Sequence, residues 1–102
     1  MSPGDVVWLA VDAPDISHPH VVIAVTESTA LVAMVTSNLH RAKAPGNVML
    51  EAGEGGLPRQ SVILAHAITV PLSQLGVRLG TLSIERLHEL ETGLRFVESL
   101  RR

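Results

Sequence analysis

Between Ala30 and Val35 the chain runs through six apolar residues with no charge and no turn former, then becomes polar at once at Thr36-Ser37-Asn38. Such a run reads as a strand buried on both faces, and its polar end leaves the core as a unit. Residues of this kind start turns by hydrogen-bonding their own backbone. The same hydroxyls and amide, at the end of a rigid strand, are also well placed to touch a ligand.

The rest of the chain is built around similar runs. Pro3-Gly4-Asp5 is a turn into the strand Val6 to Val11, which Pro14 ends. Asp12 to Pro19 reads as a polar loop, and because Pro lacks a backbone donor the second strand begins near His20 and runs through Thr26. Glu27-Ser28 leads tightly into the third strand, Asn47 to Glu51 is a short candidate, and Ser61 to Val70 is a longer one stopped by Pro71. Pro71 to Leu75 suits one helical turn, and Val77 to Leu79, between Gly76 and Gly80, a last short strand. From Leu82 to Leu100 apolar residues recur at helical spacing, with Ser83 as N-cap and Glu85 complementing the dipole. Gly93 reads as a soft spot in that helix.

Five or six short strands plus one amphipathic C-terminal helix make a mainly β fold. At this spacing they favour a small, strongly bent antiparallel sheet or barrel with the helix packed across it. The 102 residues suffice for a single domain, 1–102.

Composition narrows the function. With 46% hydrophobic and 18% charged residues the chain is a folded one, with apolar surface to spare for a dimer partner. A net charge of -2 exerts no global pull on nucleic acid, so any such contact is local. Trp8 and Phe96 are the only aromatic residues, too few for stacking along a strand of successive bases. Absent cysteine excludes disulfides, zinc ribbons and thiol catalysis. The first residues carry no basic n-region before an apolar segment, and no run approaches the length of a membrane span, so a cytoplasmic location is expected.

Several side chains invite chemistry. His18 and His20, two apart, would share a strand face, but no third metal ligand stands at a recognisable spacing. An imidazole exchanges protons near neutral pH, which beside Thr36 and Ser37 suits action on a hydroxyl or phosphodiester. His66 is expected to be partly buried and His88 solvated. His40, Arg41 and Lys43, joined by Arg59 if the two loops meet, form a local positive cluster able to hold phosphate. Ser61 either caps its loop or contacts substrate. The Gly53 to Arg59 stretch reads as the most flexible, and without a following Lys-Ser/Thr and helix it is a poor phosphate loop. A Ser37, His18 and Asp12 triad lacks a nucleophile elbow.

The order of the pieces says more than any one of them. GDVVWLAVD (4–12), HPHVVIAV (18–25), ALVAMVTSN (30–38), GNVMLEAGEGGLPRQSVILAHAITV (46–70) and LGTLSIERLHEL (79–90) resemble the successive blocks of the MazF/PemK toxins of toxin-antitoxin pairs. The resemblance implies an SH3-like barrel with a C-terminal helix, of the MazF/PemK/CcdB kind, and a homodimer neutralised by an antitoxin. It also implies a metal-independent, cofactor-free endoribonuclease that cuts single-stranded mRNA and leaves a cyclic phosphate.

In that family the Arg of an Arg-Pro pair opening the second strand, and a Thr ending the third, act on the 2′-hydroxyl and the scissile phosphate. Thr36 matches the Thr and Pro19 the Pro, while His18 stands in the place of the Arg. The leading reading gives catalysis to His18 and Thr36, and RNA contacts to His20, Ser37, Asn38, Arg41, Lys43 and Arg59. An imidazole lacks the bidentate fork of Arg. Met34 stands where many members have Pro, and the loop Asp12 to Ser17 is shorter than usual. The alternatives are a weakened relative that binds protein or RNA without cutting, and a structural SH3-like adaptor. A gyrase-directed toxin is disfavoured because no Trp stands near the C-terminus.

Overall fold

In the computed structural model, which describes residues 1–10 and 18–101, the closely spaced apolar runs form one antiparallel sheet. Its strands are β1 (Asp5–Leu9), β2 (Pro19–Val25), β3 (Thr29–Thr36), β4 (Val48–Leu50), β5 (Ser61–Pro71) and β6 (Leu75–Thr81), followed by helix α1 (Ile84–Ser99). The strand order is β4-β5-β3-β2-β1-β6. The expected polar loop Asp12 to Pro19 lies mostly outside the described residues, as does Asp12 of the hypothetical triad.

The apolar runs do not alternate because the sheet carries a core on each face. Val6, Val21, Ala33, Val35, Ile63 and Leu90 belong to one cluster, while Val7, Val22, Ala30, Val32 and Val70 belong to the other. Neighbouring residues such as Val6 and Val7 point to opposite faces and both are fully buried. Leu31 and Met34 of β3 are half-buried, so the central strand is not wholly enclosed.

Two glycines expected to bracket the last strand lie inside it. A Cβ on Gly76 would stand 2.8 Å from the Trp8 carbonyl oxygen, and one on Gly80 would stand 2.6 Å from the Gly55 carbonyl carbon. Their missing side chains let β6 press onto β1 on one side and onto the 54–56 turn on the other. The pairing of β1 with β6 is irregular between Val6 and Leu9, a bulged geometry that adds bend.

Ser83 caps α1 as expected, its hydroxyl accepting from Arg86 N–H at 3.2 Å. Gly93 has a packing reason: it is buried where the helix crosses Gly46, and a Cβ there would approach the Gly46 carbonyl carbon to 2.9 Å. Asp5 ties the N-terminal turn to β6. Burial alone would raise its carboxyl pKa, but hydrogen bonds from Ser2 N–H (2.8 Å) and Thr81 Oγ1 (2.9 Å), with the charges of Arg78 and the N-terminus, hold it below the usual value. His66 is exposed rather than partly buried, at a point where the run of buried residues Ser61 to Ala65 in β5 ends and before burial resumes at Val70.

Candidate functional site

Strand register assembles one side of the site. His20 lies opposite Met34, Val21 opposite Ala33 and Val22 opposite Val32. Carried on by two residues, that register sets His18 across from Thr36. On the other side of β3, Thr36 pairs with Val62, which brings Ser37 toward Ser61. Trp8 lies opposite Pro19 in β1.

These residues line a cleft of about 390 Å³ that includes Trp8, His18, Thr36, Ser37, Arg59 and Ser61, with Gly56 to Pro58 as part of its far wall. Thr36 starts a turn and lines the cleft. Its Oγ1 accepts the Asn38 N–H at 3.1 Å, starting the turn, and this leaves the hydroxyl proton free to donate into the cleft.

The far wall is held by a different device. Glu54 accepts two hydrogen bonds from the Arg86 guanidinium, Nε to Oε1 at 2.9 Å and Nη2 to Oε2 at 3.0 Å, and Arg86 also reaches Glu89. The Arg86 hydrogen bonds hold the Glu54 carboxyl pKa down against burial, and Glu54 in turn keeps Arg86 firmly charged. Glu54 Oε2 also accepts the Glu51 N–H at 2.7 Å. Gly53, Gly55 and Gly56 adopt positive φ (94°, 62° and 75°), which only glycine does freely. The stretch expected to be the most flexible is thus anchored to the first turn of α1.

Of the residues assigned from the sequence, His18, Thr36, Ser37 and Arg59 come together in the cleft. His20 is buried at 8% exposure, outside the described lining, and its Nδ1 donates to the His18 carbonyl at 2.8 Å. Burial lowers its pKa, the His18 carbonyl raises it and the His18 ring charge lowers it again, so the neutral form is favoured. Asn38 caps the 3-10 turn Leu39–Lys43, accepting from His40 N–H at 3.2 Å. Arg41 and Lys43, on that same turn, are exposed and outside the described lining. Among the described residues no three His, Cys, Asp or Glu side chains gather to hold a metal ion. No helix there is long and apolar enough to cross a membrane.

Trp8 is a site residue that composition concealed. At 38% exposure it lines the cleft, and the signal for it is its pairing with Pro19 beside His18.

Comparison with known proteins agrees with the block order. Endoribonuclease MazF2 of Mycobacterium bovis and endoribonuclease MazF6 of Mycobacterium tuberculosis are each 40% identical to this chain over 74 residues. The matched segment covers 72% of this chain and 65% of theirs, so it spans a little under two thirds of those curated relatives. An endoribonuclease solved in complex with its cognate antitoxin, from a mycobacterial species, has the same fold, with a TM-score of 0.73 over 97% of this chain and 93% of its own at 14% identity. The description of PemK-like, MazF-like toxins of type II toxin-antitoxin systems matches residues 2–97, and the chain belongs to that family.

Proposed function

We propose that the chain is an endoribonuclease that cuts single-stranded RNA at this cleft. The observation that carries the reading is the convergence of His18, Thr36, Ser37 and Arg59 on one cleft, with register setting His18 across from Thr36. His18 takes the proton of the ribose 2′-hydroxyl, and the 2′-oxygen attacks phosphorus. The bond from phosphorus to the 5′-oxygen breaks, leaving a 2′,3′-cyclic phosphate, and the departing oxygen takes a proton from solvent. The Thr36 hydroxyl and Arg59 guanidinium stabilise charge on the phosphoryl oxygens. Arg59 thereby supplies the fork that His18 lacks.

Trp8 stacks one base, which suits a site reading a short single-stranded segment. Asn38, Arg41 and Lys43 extend the RNA path beyond the cleft. The route needs no metal. The working protein is a cytoplasmic homodimer neutralised by a protein antitoxin, and the toxin-antitoxin family and the antitoxin-bound structural neighbour support the last of these. The departure at His18 favours a second reading, a relative that binds RNA or protein without cutting.

Incubating a long single-stranded RNA with the protein in EDTA, followed by end analysis, separates the two. Cyclic-phosphate ends are expected. Intact RNA with measurable binding would establish the second reading.

A further inference from the structure

The buried polar and charged side chains of the described residues are Asp5, His20 and Ser61. Asp5 is occupied at the N-terminal turn. The other two make matching bonds on opposite walls of the cleft. His20 Nδ1 donates to the carbonyl of His18 at 2.8 Å, and Ser61 Oγ donates to the carbonyl of Arg59 at 3.0 Å. Each side chain is nearly enclosed, at 8% and 5% exposure, and each reaches back two residues to the backbone of a residue lining the cleft.

Both held residues lie just beyond the ends of β2 and β5, where the sheet ladder stops fixing the backbone. The following residues, Val21 with Val22 and Val62 with Ile63, are fully buried. An apolar side chain at position 20 or 61 would suit that surrounding core better, since burying a polar group costs free energy that a single hydrogen bond largely offsets without gain. What the bonds do provide is a fixed start for the two side chains that must meet a phosphate.

We infer that His20 and Ser61 are paired positioning residues, each clamping the backbone of the cleft residue two positions before it so that His18 and Arg59 meet an RNA phosphate already in place. The inference rests on the RNA-cleaving reading for what the cleft binds, and on the two hydrogen bonds for the clamps. His20 lies outside the cleft lining, and Ser61, which is part of it, commits its hydroxyl proton to the Arg59 carbonyl. Their effect lies in preorganisation, which acts on rate and affinity more than on stability.

The test uses His20→Val, His20→Asn and Ser61→Ala in the full chain, with a single-stranded RNA oligonucleotide spanning a mapped cut as probe. The Asn amide nitrogen takes the place of Nδ1, whereas Val keeps only the burial. His20→Val should unfold in urea no earlier than wild type yet lose roughly tenfold to a hundredfold in kcat/KM. His20→Asn should recover most of that loss. Ser61→Ala should lower kcat as well as kcat/KM, by roughly tenfold, since Arg59 stabilises the charge on the reacting phosphoryl oxygens. Nitrogen-15 spectra of the His18 ring without RNA give a reading independent of catalysis: shifted in His20→Val, restored in His20→Asn. Wild-type cleavage or an unmoved His18 ring in His20→Val, no recovery in His20→Asn, or losses that merely follow unfolding would each overturn the clamps. If the wild type does not cut, the RNA-cleaving reading falls, and the ring spectra still decide the clamp at His18.

Discussion

The two walls of the cleft reach their geometry by different means. His18 and Thr36 stand at the ends of β2 and β3, placed by an antiparallel register that runs back through His20, Val21 and Val22. Arg59 and Gly56 stand on a glycine-rich connection whose position depends on the paired Glu54 and Arg86, on positive-φ glycines and on Gly80 opposite. A strand-borne wall shifts only if the sheet slips, and a slip of one residue would turn every side chain to the wrong face. The loop-borne wall rests on a few polar contacts, so it is the wall that single substitutions move.

The largest expected effect lies on the strand-borne wall. Thr36→Val keeps the shape of a β-branched side chain and removes the free hydroxyl proton, which should lower kcat for RNA cleavage by about 10²–10³. Stability should change little, and urea unfolding alongside the kinetics checks this. Next comes Gly80→Ala, whose Cβ would run into the Gly55 backbone at 2.6 Å. It should cost roughly 1–3 kcal/mol in urea unfolding and raise KM by displacing the loop-borne wall.

Arg86→Ala frees Glu54 without touching the cleft. A loss of about 1 kcal/mol is expected, together with weaker RNA binding and a smaller change in kcat, measured by unfolding and steady-state kinetics. The smallest effect is one of pH. Because His20 titrates below its ordinary value of about 6.5, the unfolded chain takes up that proton first on acidification. Its contribution is therefore complete above about pH 6.5, declines as pH falls from there toward the folded pKa, and then levels off. The depressed carboxyls Asp5 and Glu54 act at lower pH, as they protonate. Unfolding midpoints of wild type and His20→Val between pH 7.5 and 5.5 should separate the histidine contribution, with the acid-side loss absent from the variant.

Local signals were the legible ones. Apolar runs, the Ser83 cap and the polar exit at Thr36 are written in neighbouring residues, and they place the strands, the helix and the strand-borne wall. The block order added the pairing of His18 with Thr36. Long-range features left no local trace: Glu54 and Arg86 are 32 positions apart, and neither carries a sign of the other. Gly76, Gly80 and Gly93 read as ends or soft spots because the backbone they admit belongs to another element. His66 misleads alternation, since it falls in the exposed stretch of β5 between buried Ala65 and buried Val70. Arg41 and Lys43 show charge in the sequence, but only folding puts them on a turn outside the cleft lining.

The central claim is that His18 acts as the proton acceptor in RNA cleavage. Its most direct test is the cleavage rate of one single-stranded RNA by wild type and by His18→Ala, with a second RNA carrying a 2′-deoxyribose at the cut. The account predicts a loss of about 10²–10⁴ for His18→Ala and no cut at the deoxyribose by either protein. Equal rates for the two proteins, or cleavage at the deoxyribose, would contradict it.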